Sequence, residues 1–131
     1  MKISQRTLLA CTLQFALLGS ALCAADAVDV DSDLMRSIDD TAKSLDSEVA
    51  QRDVKAALAD ARSLVETFAR VESHYGQKPE TADAVGFAHH TQELAAQALK
   101  AIAAQDFDAA GELVNQLTRS CKACHEIYKK D

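Results

Sequence analysis

The stretch FDAAGELVNQLTRSCKACHEIYK, residues 107–129, decides how this chain of 131 residues is read. Phe107, Ala110, Leu113, Val114, Leu117, Cys121, Cys124 and Tyr128 return every three or four positions, the signature of one face of an α-helix. Asp106 stands just ahead of the first apolar residue, where a carboxylate satisfies the free N–H groups of an opening turn. The spacing predicts a helix over about Phe107 to Lys129. Its buried stripe runs directly into Cys121-Lys122-Ala123-Cys124-His125.

Those five residues read C-x-x-C-H, the attachment signal of a c-type haem. Thiols three residues apart share a helix face, so both reach the vinyl groups on one porphyrin edge, and the imidazole that follows is placed to bind the iron. Cys121 and Cys124 are the expected thioethers and His125 an expected axial ligand. Two other chemistries use such a pair. A thioredoxin-like dithiol needs a βαβ setting, whereas a long helical pattern leads into this one. Half of a zinc site needs two further ligands, such as His89 and His90, yet adjacent residues on a helix point about 100° apart and chelate poorly.

At the other end, Lys2 and Arg6 precede an apolar run from Leu8 to Leu18, broken by Thr12 and Gln14, and small residues follow to Ala25. This is the order of a secretory signal, and the run is short for a membrane span, although an uncleaved anchor is the alternative. Cleavage after Ala24, Ala25 or Ala27 fits. A lipoprotein-like Leu8-Leu9-Ala10-Cys11 would be cut inside the apolar run and is rejected. Residues 1–25 are therefore expected to be a signal peptide, with residues 26–131 forming one domain.

Removing the signal takes away Cys11 and Cys23 and leaves only the two thiols of the motif. Two thioethers would consume both, which suits an oxidising compartment and points to the periplasm. Lys2 and Arg6 leave as well, so the remaining chain is more acidic than the net charge of −6 for the whole. That balance argues against nucleic acid and allows a basic partner.

Three more amphipathic segments lie upstream. The first, about Ser32 to Ser47, carries Leu34, Met35, Ile38, Ala42 and Leu45 behind Asp31 or Ser32 as cap. The second, about Asp53 to His74, carries Val54, Leu58, Ala61, Leu64, Val65, Phe68, Val71 and Tyr75. The third, about Ala82 to Ala104, carries Phe87, Thr91, Leu94, Ala95, Ala98, Leu99 and Ile102. Tyr75 to Thr81, with Gly76 and Pro79, is the one strong loop. His74, His89 and His90 sit beside these stripes and read as surface residues.

Four helices joined mostly by short links predict an all-α, antiparallel up-down-up-down four-helix bundle. In that topology the start of helix one lies beside the end of helix four. Met35, which alone remains once Met1 is gone, then meets His125, and a thioether opposite an imidazole makes six-coordinate iron. A methionine that merely fills space in the core is the alternative.

The C-terminal Cys121-Lys122-Ala123-Cys124-His125 followed by Tyr128, on the last of four helices, resembles the class II c-type cytochromes of the cytochrome c-prime group. Asp33-Leu34-Met35 and Val54-Lys55-Ala56-Ala57-Leu58 are also similar to the soluble periplasmic cytochrome b of the 562 type. The resemblance to the class II c-type cytochromes implies one covalent haem c, which the cytochrome b, lacking the two cysteines, does not share, and a low-spin branch in which Met35 and His125 are the axial ligands. Arg36, Arg119 and Tyr128 become candidate haem contacts. Lys129, where the family often has Arg, is a departure from the pattern and another candidate.

The function expected is periplasmic electron transfer to redox partner proteins, without turnover of a substrate, without stable membrane insertion, and with a homodimer allowed. A five-coordinate protein binding NO or CO is the alternative. A peroxidase would need acid and base groups near Met35, where only Arg36 lies within a turn. Arg119, Lys122, Lys129 and Lys130 form a basic cluster suited either to steering a partner or to a helix C-terminus.

Overall fold

The computed structural model describes residues 29–128; the expected signal peptide, Lys129 and Lys130 lie outside them. Four helices follow in order, α1 (Ser32–Gln51), α2 (Val54–Gly76), α3 (Ala82–Ala103) and α4 (Phe107–Tyr128), with a short 3-10 turn at Pro79–Thr81. Among the described residues there is no strand, and the fold is an all-α four-helix bundle. No helix among them is long and apolar enough to cross a membrane.

Local chemistry sets the helix ends. Asp31 caps α1, its carboxylate accepting from the N–H groups of Asp33 (3.0 Å) and Leu34 (2.8 Å). Asp53 and Asp106 do the same for α2 and α4 through Ala56 and Ala109, each at 3.1 Å. The link expected over Glu48 to Arg52 is in fact one more turn of α1. Val49 is buried and carries the apolar stripe onward, and the helix stops only where Arg52 turns left-handed at φ 59°. No glycine marks that stop. Gln105 makes the same left-handed turn between α3 and α4.

The core is a continuous cluster in which Leu45, Leu64, Ile102, Leu117 and Val114 are fully buried. Each such side chain stabilises the fold by about 1.5–3 kcal/mol relative to exposure. Small residues pave α2 and α3, with Ala57, Ala61, Ala88, Ala95 and Ala98 buried, and these two helices pack most extensively. Each helix packs on its neighbours in sequence, and α1 closes the ring against α4 through the thinnest of these interfaces. The early part of α1 shares a cavity with the end of α4, while Val49 and Arg52 share a cleft with Phe107 and Gly111. The start of α1 and the end of α4 thus lie at one end of the bundle.

Candidate haem cavity

At one end of the bundle the four helices part around a cavity of about 350 Å³. Met35, Ile38 and Ala42 of α1 form one wall, and Phe68, Val71 and Tyr75 of α2 another. Ala84, Phe87, Ala88 and Thr91 come from α3, and Thr118, Cys121, Lys122, Cys124 and His125 from α4. Asp39, Lys43 and Asp46 complete the rim on α1. The volume lies within the range of about 300–1,000 Å³ typical of cofactor clefts.

The apolar spacing that buries α4 also sets these side chains. Leu117 is fully enclosed, and one helical turn further on Cys121 is half-buried, with Cys124 likewise half-buried and His125 exposed at the mouth. Ser120, buried beside Cys121, meets the buried Thr91 of α3 at 2.7 Å, and Thr91 in turn donates to the Phe87 carbonyl at 2.7 Å. Both thiols are free. Burial pushes the Cys121 thiol up to about 11, helped by Cys124 and then Asp39, and burial alone raises that of Cys124. The Tyr75 phenol is raised by burial first, then by Cys124 and Tyr128.

Of the residues expected at the site, Met35, Cys121, Cys124 and His125 line this one cavity although Met35 is far from the others in sequence. Tyr128 stands behind the wall, its ring centroid 6.3 Å from that of Tyr75. Arg36 and Arg119 are not among the lining residues. Each is exposed and paired with a carboxylate of its own helix, Arg36 with Asp33 at 3.0 Å and Arg119 with Glu112 at 3.1 Å. His89 and His90 also lie off the cavity, the His89 ring reaching Glu72 at 3.3 Å and Glu93 at 3.5 Å. No group of three or more His, Cys, Asp and Glu side chains among the described residues is arranged to hold a metal ion by itself.

A haem fits what is present. Two free thiols one helical turn apart suit two thioethers, the walls between them and Met35 are largely apolar, and a nitrogen and a sulfur donor border the same space. Reading only the apolar stripe missed Asp39, Lys43 and Asp46. Their signal was the spacing of four and three residues, which places all three on the strip of α1 next to Met35, Ile38 and Ala42. Compared with models of known families, with curated proteins and with solved structures, the chain matches none.

Proposed function

We propose that this protein is a periplasmic electron carrier with one haem c, tied to α4 by Cys121 and Cys124 and bound axially by His125 and Met35. The observation that carries the reading is convergence: these four residues, from the first and last helices, border a single cavity. The resemblance to class II c-type cytochromes supports the same reading. When bound, a haem supplies a one-electron Fe(III)/Fe(II) couple.

The chain's own part is to hold and insulate. A thioether from Met35 together with the His125 imidazole would favour a higher potential than two nitrogen ligands. Ile38, Phe68, Val71 and Ala88 keep water from the inner wall, and four packed helices leave the ligands little room to rearrange between oxidation states. The exposed His125 brings the centre near the surface, where redox partner proteins reach it. Export by the N-terminal signal would deliver the chain to the compartment where the motif's thiols are used.

Absorption spectra of the exported protein in both redox states, repeated for Met35→Ala and followed by carbon monoxide titration, test the reading. Low-spin six-coordinate spectra that turn high-spin in Met35→Ala are expected, with haem staining retained on a denaturing gel. A wild-type protein already high-spin and quick to bind carbon monoxide would instead be the five-coordinate gas-binding type. A colourless chain with two free thiols would end both readings.

A further inference from the structure

If the cavity takes a haem, its two propionates bring two carboxylates to a rim that already carries Asp39 and Asp46. The cations on that rim are Lys43 and Lys122. Lys122 lies between Cys121 and Cys124, on the side of α4 that would hold the vinyl edge of the porphyrin, and propionates occupy the opposite half of the macrocycle. Arg36 and Arg119 do not line the cavity.

Lys43 remains. It stands two turns beyond Met35 on α1, about 12 Å along the helix axis. Its ammonium is 2.5 Å from Asp39, and the side chain is 70% exposed, so it can turn toward a new partner without unburying anything. An exposed pair of this kind contributes little to stability and costs little to exchange, and an ammonium has three protons to share between two carboxylates. We infer that Lys43 is the residue that receives a haem propionate. This assignment rests on the haem reading above.

The test is the pH dependence of the reduction potential of the haem-loaded protein. Ionisation of a propionate gives a step in that dependence, and an ammonium beside the carboxylate keeps the step at low pH. Lys43→Gln is expected to move the step up by about one pH unit and to lower the potential at neutral pH, the lowering shrinking as salt is added. Lys43→Arg keeps both near wild type.

The other titratable groups facing this rim are Asp39 and Asp46 of α1, Tyr75 of α2, and Lys122 and His125 of α4, besides Cys121 and Cys124, which the haem would consume; α3 contributes none. Asp39→Asn and Asp46→Asn should each leave the step in place. A step that disappears in either variant, stays put in Lys43→Gln, or moves further in Lys122→Gln overturns the assignment while the haem reading stands. A chain isolated without covalent haem overturns both.

Discussion

Thr91 of α3 and Ser120 of α4 share a 2.7 Å hydrogen bond inside a core that is otherwise apolar, one residue before the first thiol of the motif. The Thr91 proton is spent on the Phe87 carbonyl, so the Ser120 hydroxyl is the donor in this bond. The bond fixes how α4 is turned against α3, and with it the direction in which Cys121 faces. Thr91→Val leaves the Ser120 hydroxyl buried without its acceptor. The expected cost is about 1–3 kcal/mol in denaturant unfolding. Combining it with Ser120→Ala should recover part of that loss, and a double variant that loses the full sum of the singles would show no coupling.

Much of this was legible from periodicity. Leu45, Leu64, Ile102 and Leu117 fall on stripes three and four apart, and all are fully buried. The expected antiparallel order placed Met35 near His125, and both line one cavity. Polar residues were less legible. Ser120 looks like a surface residue until Thr91 is seen opposite it, and a stripe count has no way to pair positions on different helices. The stop of α1 was missed because Arg52 adopts the left-handed turn that glycine usually supplies. Lys43 was passed over on α1, where only Arg36, next to Met35, was considered.

If the proposed haem is attached, the two thioethers can be separated by substitution. Cys121→Ser and Cys124→Ser each leave one thiol able to reach the porphyrin rim, so each should still stain for haem on a denaturing gel, with a shifted absorption band from the vinyl left unreacted. The double variant should lose the stain altogether. Mass spectrometry checks the count directly, one haem per chain in the first two and none in the third.

Gln105 and Arg52 occupy the same left-handed conformation, φ 59° in each, at the two tightest connections. A side chain costs about 1–2 kcal/mol there, and glycine avoids the clash at an entropic cost of about 0.5–1 kcal/mol. Gln105→Gly should therefore raise the unfolding midpoint by roughly 0.5–1 kcal/mol of stability. Arg52→Gly should gain less, because the guanidinium lies 5.6 Å from the centroid of Phe107 and that contact contributes about 0.5–1 kcal/mol at an exposed site. Equal gains in thermal unfolding would mean that the Arg52 contact contributes nothing.

Chain made without haem offers a pH test of the cavity. Burial, then Cys124 and Asp39, lift the folded Cys121 thiol to about 11, above the value near 8.5 for an exposed cysteine. The fold thus prefers the neutral thiol. Its contribution to stability is fully present below the unfolded value and is lost as pH rises from about 8.5 toward the folded value of about 11. Unfolding by urea across that window should show stability falling with pH, and Cys121→Ala should flatten the slope. Alkylation at pH 8 reads the same difference kinetically: Cys124, raised by burial but less enclosed, should be modified before Cys121. Equal rates at the two thiols, with no change of slope in Cys121→Ala, would mean that Cys121 is open to water and the cavity wall is not as described.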